Sequence, residues 1–217
     1  TSSFAAIGYG NDEKIFDETD WSNTDSTIGA YAKSKTLAEK AAWSFVNELP
    51  DQDKFNLTVL NPVAVTGPML SDDIGTSNTL FVQLLDGSIP ACPRIHIGFV
   101  DVRDVCKAMI ILMKSEISAE RYILNAENCS FRNVFEMIAD GFNVKRPSKK
   151  VTPLLSEIVW RAEKIRCAFT RKEPLITKET AASAMAKVKF DNSKFLKEFP
   201  EFHYTSISES VKVFCAE

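Results

Sequence analysis

The sequence predicts an α/β protein, built as a parallel sheet with helices on its faces. Strand-like segments rich in β formers alternate with segments of helical periodicity, at intervals that suit βαβ units. The run from Phe55 through Val65 stays apolar across an Asn-Pro step, as a strand buried on both faces does. Finally, 217 residues at 45% hydrophobic and 25% charged are globular averages and suit one ordinary domain or a domain with a small lobe. They exclude a disordered, collagen-like or coiled-coil chain.

Taken in order, Ser2 to Gly8 is small and apolar and reads as the end of a buried strand, followed by a long acidic loop from Gly10 to Asp25. Ser26 or Thr27 is placed to cap a helix from Ala30 to Glu48, where Leu37, Ala38, Ala41, Ala42, Phe45 and Val46 recur at helical spacing. Phe55 to Leu60 reads as a strand closing on Asn61-Pro62, Thr79 to Asp86 as a short helix stopped by Gly87, and Ile95 to Val100 as a further strand. Asp101 is placed to cap a helix from Val102 to Met113. A strand from Arg121 to Asn125 and an amphipathic helix from Phe131 to Phe142 complete a first domain of residues 1–143. The break at Lys145 to Lys150 opens a smaller, mostly helical lobe, 144–217, with helices expected from Pro153 to Phe169 and Thr177 to Ala186.

Charge and cysteine usage narrow the function classes. A net charge of −3 argues against a general nucleic-acid binder, and no run of 18 apolar residues predicts a membrane span. The first residues carry no basic leader, and a start at Thr1 suggests a chain that begins partway through a longer one. Five scattered cysteines without a CxxC pair, and only two histidines, predict free thiols in a reducing cytoplasm and no metal site. The stretch 145–172 holds nine Lys or Arg against two acidic residues. It reads as a solvated helical face, or as a patch attracting an anionic substrate.

Chemistry concentrates in Tyr31-Ala32-Lys33-Ser34-Lys35. Tyr31 and Lys35 lie four apart on the predicted helix and project from one face. A fixed ammonium a few ångströms from a phenol favours the phenolate, which is how a tyrosine becomes an acid or base near neutrality. The pair Ser2-Ser3 precedes Tyr31 by 28 residues, at an expected strand end, and Asn61-Pro62 ends the next strand, at the carboxyl edge where open α/β sheets bind ligands.

With Thr1-Ser2-Ser3, the run from Tyr31 to Trp43, Asn61-Pro62-Val63 with Gly67-Pro68, and Phe99 to Val105, the sequence resembles the extended short-chain dehydrogenase/reductases, in their dihydroflavonol-reductase-like and 3β-hydroxysteroid-dehydrogenase-like branch. These residues cover about the first 110 positions, and their occurrence in order is specific. The resemblance implies a Rossmann-like sheet with helices on both faces, NADP or NAD as cofactor, and a catalytic triad of Ser3, Tyr31 and Lys35. Tyr31 would donate the proton in reduction of a small-molecule ketone or aldehyde, Lys35 would bind the nicotinamide ribose, and Ser3 would hydrogen-bond the substrate oxygen. Pro62 and Val63 would line the nicotinamide pocket, with a backbone group near the carboxamide. Phe4 and Arg94 are the further candidates for contact with substrate, and His96 reads as a structural histidine.

The family's glycine-rich phosphate turn lies upstream of its serine, and the eight glycines here form no GxxGxxG. This is the expected pattern of the C-terminal portion of a longer reductase, with the activity assigned to the intact protein. Plant dihydroflavonol reductases carry an asparagine five residues after the serine, where this sequence has Gly8, a departure that points away from a flavonoid. The same triad serves nucleotide-sugar epimerases and dehydratases, the alternative reading. A non-catalytic, cofactor-sensing or interaction protein on the same fold is the reading from another class, and a homodimer is left open.

Overall fold

A computed structural model describes residues 1–8, 14–25, 28–68, 79, 81–83, 85–87, 92, 94–146, 153–170 and 187–216. In chain order the elements are β1 (Ile15–Phe16), α1 (Ala30–Glu48), β2 (Thr58–Pro62), β3 (Ala64–Thr66), β4 (His96–Asp101), α2 (Val102–Met113), β5 (Glu120–Leu124), β6 (Glu127–Ser130), α3 (Phe131–Gly141), α4 (Pro153–Thr170), β7 (Lys189–Phe190), α5 (Ser193–Glu198) and α6 (Ile207–Ala216). Strand β2 runs parallel to β5 from Thr58 opposite Glu120 to Pro62 opposite Leu124. Strand β3 runs parallel to β4, β6 returns antiparallel to β4, and β1 pairs in parallel with β7. The class is α/β, as the sequence predicts.

Alternation along β4 sends Val100 into one apolar cluster and Phe99 into another. Val105, Ala108 and Leu112 of α2 join the Val100 cluster, whereas Val134, Phe135 and Ile138 of α3 and Val211 and Phe214 of α6 join the Phe99 cluster. Helices therefore cover both faces of the sheet around β4. The centre of β4 needs a glycine: a Cβ on Gly98 would stand 2.5 Å from Asn125 Oδ1 and 2.9 Å from Val63 Cγ1.

The C-terminal residues are continuous with this body. Val188, Phe190, Phe195 and Phe202 sit in the Val100 cluster and Ile207, Val211 and Phe214 in the other. Asn125 and Asn128 each donate a side-chain hydrogen bond to the Phe190 carbonyl at 2.9 Å. The lobe expected over 144–217 thus shares both cores of 1–143 through its residues 187–216.

Three local expectations are corrected. Ser2 to Gly8 is not a strand end throughout: Ser2 N donates to Leu60 O at 2.7 Å, and then Phe4–Ala6 winds into a single 3-10 turn that Ser3 caps. The acidic loop contains β1, a two-residue strand whose partner comes from the other end of the chain. Helix α1 has the predicted bounds, but it is turned: Ala32, Thr36 and Glu39 are buried, whereas Leu37 and Phe45 are 48% and 59% exposed. The buried face carries Glu39, which pairs with Arg121. The expected caps Ser26 and Thr27 and the helix from Thr177 to Ala186 lie outside the described residues. Gly29, with φ at +90°, makes the turn into α1.

Candidate active site

Three elements meet at the first turn of α1. The extended segment Thr1 to Ser3 lies beside β2 and ends in the 3-10 turn, which fixes Ser3 with 6% exposure. Tyr31, in the first turn of α1 and 55% exposed, points its hydroxyl at Ser3 Oγ across 3.4 Å. One turn on, the half-buried Lys35 places Nζ 5.9 Å from the centre of the Tyr31 ring. The structure thus brings the predicted Ser3, Tyr31 and Lys35 to one point of approach.

The hydrogen bonding of Ser3 leaves a donor available. Its Oγ accepts from Ala5 N at 3.2 Å and from the Tyr31 hydroxyl, which engages the acceptor side of the oxygen and leaves its own proton to offer. The Tyr31 contact is long for an O–H···O bond, so an oxygen seated between the two hydroxyls would be held by both. Lys35 forms no ion pair among the described residues, and its ammonium keeps three donors for a polyol such as a ribose.

Beneath the site lies a buried polar network. Asn61, at 0% exposure in β2, donates through Nδ2 to Ser3 O at 3.1 Å and to Glu39 Oε2 at 2.8 Å. Glu39 Oε1 accepts from Arg121 Nε of β5 at 2.6 Å. Arg121 Nη1 donates to the carbonyls of Glu18 and Asp20 at 2.8 and 3.0 Å, while its guanidinium stacks 3.7 Å from the centre of the Trp21 ring. The Glu18 carboxyl, raised by burial above the usual carboxylate range, accepts from Ile123 N at 2.9 Å.

Known proteins similar to this chain include reductases. No family model matches the chain. It is 35% identical over 161 residues to an NADPH-dependent methylglyoxal reductase, GRE2, of Saccharomyces cerevisiae, a match covering 66% of this chain and 47% of that protein. It is 29% identical over 205 residues to cinnamoyl-CoA reductase CAD2 of Medicago truncatula, covering 88% of this chain and 61% of the relative. Among solved structures, that of gox2253 superposes with a TM-score of 0.76 at 25% identity, over 99% of this chain and 63% of that one. In sequence and fold the chain is similar to these proteins, in keeping with its resemblance to the extended short-chain dehydrogenase/reductases. It spans about half the length of the curated relatives it matches.

The other family positions fare unequally. Pro62 is buried in β2. Val63 is 3% exposed with its side chain in the core, and its N–H is taken by Leu124 O at 3.2 Å. The Val63 side chain therefore supports the site from behind. The half-buried Phe4 sets its ring edge-on to Phe190 at 5.4 Å, so it is in part a core residue. Arg94 is exposed ahead of β4, and no described contact ties it to Ser3, Tyr31 or Lys35. Burial, together with the ammoniums of Lys189 and Lys187, holds the His96 imidazole below its usual range, which suits a structural histidine.

Part of the basic stretch is accounted for by local pairs: Arg146 with Asp140, Arg161 with Glu157 and Arg166 with Glu163. These favour the solvated-face reading. No group of metal-ligating residues and no helix long and apolar enough to cross a membrane occur among the described residues. The five cysteines form no disulfide among the described residues.

The network of Glu39, Asn61, Arg121 and Trp21 is what sequence reasoning missed. Part of it left a signal. Glu39 stands four residues beyond Lys35 and eight beyond Tyr31, on the same helical stripe, so the position of a third polar residue was legible. Its partner Arg121, 82 residues away, was not.

Proposed function

We propose that the protein containing this chain reduces the carbonyl of a small aldehyde or ketone, with NADPH as cofactor and Tyr31 as proton donor. The observation that carries the reading is the Tyr31 hydroxyl directed at Ser3 Oγ, with the Lys35 ammonium, in no ion pair among the described residues, one turn away. The relatives support it, since their names describe an NADPH-dependent methylglyoxal reductase and a cinnamoyl-CoA reductase. When bound, the reduced nicotinamide supplies hydride to the carbonyl carbon.

This chain's own groups do the rest. Ser3 offers its proton as a hydrogen bond to the carbonyl oxygen and so fixes the substrate. Negative charge then builds on that oxygen, and a donor already in place stabilises it without reorganisation. Tyr31 transfers its proton to the oxygen, which leaves as an alcohol, and recovers a proton from solvent on its exposed side. Lys35 holds the ribose hydroxyls of the cofactor and keeps positive charge beside the phenol. The free cysteines support placing the protein in the reducing cytoplasm.

The test is NADPH consumption by the full-length protein with methylglyoxal and a panel of larger carbonyls. Replacing Tyr31→Phe removes the transferable proton and leaves the ring, so nucleotide binding by fluorescence titration should persist while kcat falls about 100-fold or more. Equal rates in the two proteins would eliminate the mechanism. Conversion of a UDP-sugar without net NADPH consumption would favour an epimerase instead.

A further inference from the structure

We infer that Asn61 is a positioning residue for this reaction: its buried carboxamide brackets the serine turn to the helix that carries Tyr31, and so sets the distance between the two hydroxyls. The inference rests on the proposed reduction for its kinetic meaning and on geometry for its structural one.

The residues that meet substrate oxygen come from separate pieces of chain. Ser3 belongs to a single 3-10 turn, an element too short to hold itself rigidly. Tyr31 belongs to the first turn of α1, entered through a glycine with no side-chain cap. The two pieces pack directly against each other, yet no backbone hydrogen bond joins them among the described residues. Asn61 ties them with the two protons of one amide, giving one to Ser3 O and one to Glu39 Oε2. Glu39 lies on the same stripe of α1 as Tyr31 and Lys35, so fixing Glu39 fixes the helix in both rotation and axial position.

Each end of the bracket is itself held. Ser3 O also receives Ala6 N at 3.0 Å, which closes the turn, and Glu39 Oε1 also receives Arg121 Nε. Asn61 is anchored through the β2 pairing with Ile123 of β5. An amide suits the position: it supplies two protons in one plane to two oxygens, whereas a carboxylate there has none to give and would confront Glu39. Full burial makes the arrangement rigid, because a lost partner leaves a carbonyl or carboxylate oxygen without a substitute.

A double-mutant cycle in the full-length protein tests this. Asn61→Ala should lower kcat for carbonyl reduction about 10- to 100-fold, as expected for misplacement of a reacting group, with KM for NADPH little changed. In a Ser3→Ala background the same substitution should cost almost nothing further, because the group it positions is gone. An equal multiplicative loss in both backgrounds would overturn the inference, since a general weakening of the fold acts regardless of Ser3.

Amide hydrogen exchange is the second readout. Asn61→Ala should speed exchange at Ala6 and Ile7, which close the serine turn, and unchanged exchange there would also overturn the bracket. Where Asn61→Ala fails to fold, Asn61→Ser gives the same readings in weaker form, because it keeps one proton for the two oxygens and leaves the Glu39–Arg121 pair intact. A wild-type protein with no reductase activity refutes the proposed function, and exchange at the serine turn then decides the bracket by itself.

Discussion

Arg121 lies between the indole of Trp21 and the carboxylate of Glu39, with the carbonyls of Glu18 and Asp20 on its remaining edge. A planar guanidinium suits this place, since it stacks on one side and donates in its own plane. Arg121→Ala would leave the Glu39 charge buried and unpaired and should cost about 3–5 kcal/mol of stability, read from the urea midpoint. Arg121→Lys should recover only part of this, because an ammonium neither stacks flat nor reaches several acceptors at once. That Tyr31 and Lys35 share a helical face was legible from spacing alone. The partners that orient them were not, because a buried ion pair leaves no local pattern.

At the scale of elements, the bounds of α2 were legible because its cap is encoded locally, whereas α6, which Ser206 caps through Glu209 N, was not read from the sequence. Asp101 accepts from Arg103 N at 2.8 Å, and α2 runs from Val102 to Met113 as predicted. The two-residue strands β1 and β7 were invisible, because neither is long enough to show a period. The orientation of α1 also escaped, because Arg121, the partner of its buried Glu39, lies 82 residues away. Strand β4 supplies a prediction of its own. Gly98→Ala inserts a methyl group against Asn125 and Val63 and should cost about 1–3 kcal/mol, measured as a lowered Tm. An unchanged Tm would mean that β4 and the Asn125 segment can part without penalty.

For the molecule as a whole, buried thiols set an alkaline limit. Burial pushes the Cys129 thiol from its ordinary 9.0 up to about 12 and the Cys92 thiol up to about 11. In the unfolded chain these thiols ionise first, so the folded state is at no disadvantage below pH 9.0 and loses stability as pH rises from there toward 11 and 12. Denaturation midpoints should fall over that range, and the fall should shrink in a Cys92→Ala, Cys129→Ala protein compared with its own value at pH 8. Under native conditions the exposed Cys106 should react with a thiol reagent well before Cys92 and Cys129, which should wait for unfolding.

Order and spacing along the chain were enough for the class of fold, for helix α2 with its encoded cap and for the shared face of Tyr31 and Lys35, because each depends on contacts between residues close in sequence or on a pattern repeated in order. Depth and rotation were settled elsewhere. That Val63 serves the core, that α1 shows Leu37 and Phe45 to the outside, and that one asparagine ties serine turn to helix all depend on pairings across long stretches of chain. Periodicity registers how a segment divides into faces; which face goes inward follows from the partners that folding brings against it, as Arg121 of β5 meets Glu39 of α1 across 82 residues of chain.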